Sequence, residues 1–296
     1  MIRHVLRGLF PPIPTPFLRG EVSLERLADN LALWNKLPLD GYVLLGSNGE
    51  APLLDDHERA AVIRAAREAT PADRAIIVGS GRESTRATIR SVNEAFELGA
   101  DAALVGVPGY YRPVMTDDVL ADHYQRVADA SHGPVLLYSV PFFTGIPIQA
   151  PLFRRLIRHD RVAGIKDSSG DPASIEALVG AAREAGREVS VLVGSQRALA
   201  EGLKRGASGA VLAVGNVAAR ACARIAQCVQ QGDHDEAARL NQALLPLTEA
   251  VTARHGIGGL KAALDMLGFF GGEPRPPLPS ATAEARAEIA ALLKTL

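Results

Sequence analysis

Short apolar, β-branched runs recur along the chain, and each is followed by a stretch whose apolar positions repeat with helical spacing. The runs cover residues 8–10, 41–45, 75–78, 102–105, 135–138, 162–165, 189–193 and 208–214. Between them lie amphipathic segments at 23–37, 54–70, 84–99, 116–131, 150–159, 172–186 and 196–205. Eight strands alternating with helices predict a (β/α)8 (TIM) barrel, an α/β fold, with a doubly wound open sheet as the competing arrangement. The pattern changes after residue 214. Residues 217–231, 235–245, 251–254 and 260–267 read as helices, 271–279 as a Gly/Pro-rich connector, and 281–296 as a last helix. The expected organisation is a catalytic barrel over residues 1–215, with residues 216–296 forming a helical segment packed on it.

The 296 residues are 47% apolar, enough to fill one such barrel. A formal net charge of -1, without any long block of like charge, argues against nucleic acid or an anionic membrane as a partner. Cys222 and Cys228 share one Ala-rich helical segment without metal-like spacing, which points to a reducing compartment. The first ten residues carry no signal-peptide core, and no apolar run is long enough to span a bilayer. A soluble cytoplasmic protein is expected.

Barrels of this kind place their catalytic groups at the carboxyl ends of the strands. Of the five lysines, Lys36, Lys204, Lys261 and Lys294 stand in helix-like or loop-like surroundings, and only Lys166 ends an apolar strand-like run. Burial disfavours the charged form of any lysine, and a free amine at a barrel mouth can attack a ketone to form a Schiff base. Tyr138 ends the preceding run. A phenol beside an amine can shuttle protons while a carbinolamine loses water and an enamine is protonated. The second run exits into Gly46-Ser47-Asn48-Gly49-Glu50, a turn whose backbone amides and polar side chains can converge on a carboxylate. Three of the five tyrosines, Tyr110, Tyr111 and Tyr138, cluster at two adjacent exits. The histidines form no zinc motif, no phosphate-loop lysine occurs, and Gly79-Ser80-Gly81 lacks the third glycine of a dinucleotide fingerprint. Asp171, just before Pro172, reads as a helix cap in preference to a magnesium ligand.

Taken together, Gly46–Glu50, Tyr110-Tyr111, Tyr138-Ser139-Val140-Pro141 with Thr144-Gly145, and Gly164-Ile165-Lys166-Asp167 stand in the order and spacing of one family. The chain resembles the dihydrodipicolinate synthase / N-acetylneuraminate lyase family of class I, Schiff-base aldolases acting on pyruvate. The likeness extends from Pro14-Thr15-Pro16-Phe17 into the helical tail. It implies that Lys166 forms the Schiff base and that Tyr138 is the general acid/base. Ser47 and Asn48 would bind the α-carboxylate of pyruvate, and the backbone carbonyl of Val211 would line its pocket. Tyr111 would reach a neighbouring subunit's site and join Ser47 and Tyr138 in a proton relay. The resemblance further implies a homotetramer, a dimer of dimers, with no metal or organic cofactor.

Departures from the family narrow the expected activity. Dihydrodipicolinate synthases carry an arginine for the aldehyde substrate's carboxylate where this chain has Phe143, and a phenyl ring cannot make that charge-assisted contact. Their lysine-feedback residues are replaced by Glu83 and Ala87. The Gly-Ser-Asn-Gly-Glu turn, Glu83-Ser84-Thr85, Lys166-Asp167-Ser168 and Gly259-Leu260-Lys261 look most like 4-hydroxy-2-oxoglutarate aldolase. The expected reaction is therefore cleavage of a 4-hydroxy-2-oxo acid to pyruvate and an aldehyde such as glyoxylate, with Ser168 near the variable end of the substrate. Dihydrodipicolinate synthase itself, a sugar-acid aldolase or dehydratase, and a non-catalytic keto-acid sensor are the alternatives. A sensor would be expected to have lost Lys166 or Tyr138.

Overall fold

The structure, a computed structural model, describes residues 5–295; residues 1–4, and Leu296 at the end of the last expected helix, lie outside it. Eight barrel strands follow in chain order: β1 (Gly8–Leu9), β2 (Gly41–Leu44), β3 (Ala75–Gly79), β4 (Ala102–Gly106), β5 (Val135–Ser139), β6 (Val162–Asp167), β7 (Ser190–Val193) and β8 (Gly209–Ala210). They form one sheet in the order β1-β8-β7-β6-β5-β4-β3-β2. Pairing from β3 to β8 is parallel throughout. The chain leaving β1 then lies along β2, where Ile13 N donates to Val43 O at 3.0 Å and Val43 N donates to Pro11 O at 3.0 Å. This is the strand order of a (β/α)8 barrel. Strands buried on both faces explain why the runs are continuously apolar and do not alternate.

Helices α1 (Leu24–Trp34), α2 (Asp56–Ala69), α3 (Thr85–Glu97), α4 (Asp117–Ala130), α5 (Ala150–Leu156), α6 (Pro172–Glu184) and α7 (Leu199–Lys204) connect successive strands. Side-chain caps fix several of their starts. Ser23, Asp55, Ser84, Thr116 and Asp171 each accept a backbone N–H at the helix N-terminus, and Asp55 with Glu58 forms a complete capping box. The tail comprises α8 (Ala219–Gln230), α9 (His234–Glu249), a π-helical turn at Ala250–Arg254, α10 (Gly256–Met266) and α11 (Ala283–Leu293). No helix among the described residues is long and apolar enough to cross a membrane.

Three local features differ from the sequence reading. β6 runs on through Lys166 and Asp167, so the lysine is part of the strand. β8 stops at Ala210, and Ala213–Asn216 form a 3-10 turn. Asn216 Nδ2 fixes that turn by donating to Ala213 O at 2.9 Å and Pro12 O at 3.0 Å. An unforeseen hairpin pairs Phe17–Leu18 with Glu21–Val22 across Arg19 and Gly20, both at positive φ as a tight hairpin turn requires.

Two compact units make up the chain. One consists of Ile77–Val211 with the described residues up to Gly8, and holds β4–β8 and α3–α7. The other consists of Leu9–Ile76 with the described residues from Leu212 onward, and holds β2, the hairpin, α1, α2 and the tail. Within this second unit the tail is fastened to α1. Trp34 Nε1 donates to Asn216 O at 3.0 Å, and its ring stacks on Phe269 at 5.1 Å. Asn30 exchanges two hydrogen bonds with the Phe270 backbone.

Candidate active site

In the first unit, parallel register sets Tyr138 of β5 opposite Lys166 of β6, and Ser139 opposite Asp167. Side chains alternate along a strand, so Tyr138 and Lys166 share one face and Ser139 and Asp167 the other. Lys166 is only 5% exposed, and its Nζ lies 4.2 Å from the centroid of the Tyr138 ring. Gly106 of β4 stands opposite Tyr138 on its other side; a Cβ there would lie 3.8 Å from Tyr138 Cδ1. The amine and the phenol expected to act together are thus neighbours.

The strand ends are fastened by groups that stay out of this pair. Ser168 N donates to Ser139 O at 2.9 Å, and Gly194 N donates to Asp167 O at 2.7 Å. The Asp167 carboxylate accepts from Ser169 N at 3.2 Å and Ser169 Oγ at 2.6 Å. Asp171 accepts from Ala173 N at 2.9 Å and caps α6. Both aspartates are therefore engaged in the turn from β6 to α6, and capping is the role Asp171 takes. Ser168 is half-buried, with its Oγ 3.5 Å from Gly194 O. Val211 is buried, and its N–H donates to Val193 O at 2.8 Å, extending the ladder one residue past β8.

Two aromatic pairs mark the exits of β4 and β5. Tyr110 and Tyr111 meet edge to face at 5.0 Å, as do Phe142 and Phe143. All four are exposed; Tyr111 and Phe143 are both at 66%. The loop before Tyr111 is tethered by Glu83, whose carboxylate accepts from Gly109 N at 3.4 Å and Tyr110 N at 3.0 Å. Phe142 and Phe143 sit on a short helix, Pro141–Thr144, that ends at Gly145 with φ +70°. The Arg112 side chain lies against that glycine, where a Cβ would be 2.6 Å from Nη1 and 2.8 Å from Cδ. The sequence reading takes Glu83 as a replaced feedback residue and as part of the Glu83-Ser84-Thr85 likeness; its tethering role carries no sequence signal.

In the second unit, β2 leads into the turn that carries Ser47 and Asn48. Gly49 N donates to Gly46 O at 3.1 Å and Glu50 N to Ser47 O at 3.2 Å. Leu45 and Glu50 flank the turn at φ +52° and +56°, a region costly for residues with a Cβ. At Gly49 a Cβ would sit 2.9 Å from Leu45 N, so the close approach requires glycine. Ser47 and Asn48 are half-buried, whereas the residues on either side from Gly41 to Glu50 are buried. Thr15 Oγ1 donates to Gly49 O at 2.7 Å. Beneath the turn, Lys261 Nζ and Glu50 Oε1 form an ion pair at 2.6 Å, both side chains fully buried. Burial holds the Lys261 amine below its usual pKa, an effect opposed by the Glu50 charge. The sequence reading places Lys261 in helix-like surroundings. It does lie in α10, but its complete burial was missed; the glycines and apolar residues that surround it in Gly258-Gly259-Leu260-Lys261-Ala262-Ala263-Leu264 were the available signal.

A lysine buried beside a tyrosine on neighbouring barrel strands is an arrangement that suits Schiff-base chemistry, and the fold and family make the chain a class I, aldolase-type lyase. The chain belongs to the Dihydrodipicolinate synthetase family, which matches it over residues 5–296. It is 33% identical to a DapA-like lyase of Halobacterium salinarum over 98% of this chain and 94% of that protein. To the 4-hydroxy-tetrahydrodipicolinate synthase of Cereibacter sphaeroides it is 32% identical over 98% of each chain. The crystal structure of dihydrodipicolinate synthase from Thermotoga maritima superposes with a TM-score of 0.93 at 28% identity, covering 98% of both chains.

Proposed function

We propose that the protein is a pyruvate-dependent aldolase that cleaves a 4-hydroxy-2-oxo acid, 4-hydroxy-2-oxoglutarate being the first candidate, through an imine on Lys166. Lys166 Nζ attacks the C2 ketone, and the carbinolamine loses water to give the imine. Tyr138 takes the proton of the C4 hydroxyl as the C3–C4 bond breaks. The bonding electrons pass into the imine, giving an enamine, and the aldehyde leaves. The enamine is protonated at C3, and water then releases pyruvate and restores the amine. Ser47 and Asn48 hold the C1 carboxylate, the Val211 carbonyl faces the bound pyruvate, and Ser168 with Asn48 serves the glyoxylate-sized end. Tyr111, exposed on the single chain, acts in the site of a neighbouring subunit of a homotetramer.

The observation that carries this choice of substrate is Phe143. Together with Phe142 it gives the β5 exit an aromatic surface where the synthases carry an arginine. A second reading, 4-hydroxy-tetrahydrodipicolinate synthase, is favoured by the names of curated relatives such as that of Cereibacter sphaeroides. It also draws on Arg112, whose guanidinium lies against Gly145 two residues beyond Phe143. One comparison separates the two: kcat/KM for 4-hydroxy-2-oxoglutarate cleavage against kcat/KM for condensation of pyruvate with aspartate semialdehyde. Loss of one charge-assisted contact costs ~1.5–3 kcal/mol, or roughly tenfold to a hundredfold in the condensation. Cleavage should be the faster reaction, and Phe143→Arg should move the ratio towards condensation. A wild-type preference for aspartate semialdehyde would make the synthase the right assignment.

A further inference from the structure

The ion pair between Glu50 and Lys261 has no part in the steps above, yet it is the most completely buried pair of opposite charges that the second unit displays. Both side chains are at 0% exposure with Nζ and Oε1 2.6 Å apart. Burying two charges costs so much desolvation that an apolar pair of the same volume often stabilises a fold better. Stability alone is thus a poor explanation for finding a lysine and a glutamate here. What the pair touches suggests another. Glu50 is the last residue of the carboxylate turn, and its φ of +56° belongs to a region where side-chain-bearing residues are strained unless their surroundings hold them.

Those surroundings are specific. Glu50 Oε2 accepts from Arg275 N at 2.7 Å, while Lys261 Nζ donates to Glu273 O at 3.1 Å. Phe17 lies beneath both cations, with Lys261 Nζ 4.5 Å and Arg275 Cζ 4.4 Å from its ring centroid. Thr15 grips the same turn through Gly49 O. A left-handed residue pinned by a buried salt bridge sets the direction in which the two preceding side chains, Asn48 and Ser47, leave the backbone.

We infer that Glu50 and Lys261 are positioning residues, and that their ion pair holds the Gly46–Gly49 turn in the geometry that receives the substrate carboxylate. This rests on the reading of Ser47 and Asn48 as the carboxylate-binding pair. The pair acts on recognition of the carboxylate and leaves imine formation at Lys166 untouched.

Two carbonyl compounds distinguish these effects: pyruvate, and hydroxyacetone, which has the ketone without the carboxylate. Each is trapped on the full-length protein with cyanoborohydride, and the adduct on Lys166 is quantified by peptide mass spectrometry. In Lys261→Met the pyruvate concentration for half-maximal trapping should rise about tenfold to a hundredfold, the penalty expected when a positioned group is displaced by about an ångström. Hydroxyacetone trapping should be unchanged. If Lys261→Met does not fold, Thr15→Val, which loosens the turn from its other side, should show the same selective loss. Equal losses for both compounds in a folded variant, or no loss for either, would overturn the inference. A wild-type protein that traps neither compound on Lys166 would instead overturn the imine mechanism, and this inference with it.

Discussion

Gly164 lies two residues before Lys166, and its substitution by alanine connects packing to chemistry through a single methyl group. In β6 it stands between Leu136 of β5 and Ser190 of β7, with φ +148°. A Cβ there would lie 2.7 Å from both the carbonyl carbon and the nitrogen of Ser190, and nearer still to its oxygen. Non-bonded carbons settle at about 3.5–4.0 Å, so β6 must retreat from β7 by ~1 Å. Neither strand has free space to give, because every residue of both is buried. Overpacking of this kind costs ~1–3 kcal/mol, or about 2–5 °C in Tm for a chain of this size. The same displacement pushes β6 against β5 and shifts Lys166 relative to Tyr138, and an error of about 1 Å at a reacting group costs on the order of a hundredfold in rate. Gly180→Ala is the matched control. Gly180 lies inside α6 with nothing within 4 Å of a Cβ, so the methyl should add ~0.5–1 kcal/mol of stability and leave turnover alone. Thermal melts and steady-state pyruvate release on the two variants test both signs. A Gly164→Ala enzyme with wild-type Tm and kcat would refute the claim that strand spacing at this glycine positions the lysine.

Other expectations address different parts of the molecule. Mixed oligomers of inactive Lys166→Ala and Tyr111→Phe chains should regain activity above either parent, measured by pyruvate release; if mixing restores nothing, Tyr111 serves no neighbouring site. His123 is buried on α4 with Nδ1 2.9 Å from Thr85 Oγ1, and burial holds its pKa below the ordinary 6.5. The fold therefore favours neutral imidazole, and this contribution is complete above pH 6.5 and lost as pH falls towards the folded-state pKa. His123→Gln should accordingly flatten the fall in Tm between roughly pH 7.5 and 5; equal slopes in both proteins would remove His123 as the cause. Cys222, with its thiol pushed up to about 12 by burial, should resist a thiol reagent in the native state and react on denaturation; rapid native labelling would contradict its placement.

The barrel was legible because its parallel strands are buried on both faces, so their continuous apolar runs stand out from the amphipathic segments between them. Lys166 was legible for the same reason, as a charge ending an apolar run. Its pairing with Tyr138 was only an inference from order, and the register supplies it. Less was visible where structure depends on distant partners. The end of β8 is set by Asn216, which reaches back to Pro12. The hairpin at Phe17–Val22 has strands of two residues, too short for any alternation to show. Glu50 and Lys261 meet across most of the chain, and a lone lysine in an apolar helix gives no hint of which carboxylate it will find.

The central claim is that Lys166 is the residue that forms the imine. Incubation with pyruvate and borohydride, followed by digestion and peptide mass spectrometry, tests it most directly. One reduced pyruvate adduct on Lys166, accompanied by loss of activity and absent from a folded Lys166→Ala protein, is the expected result. An adduct on any of the other lysines, Lys261 included, or an active enzyme that yields none, would contradict it.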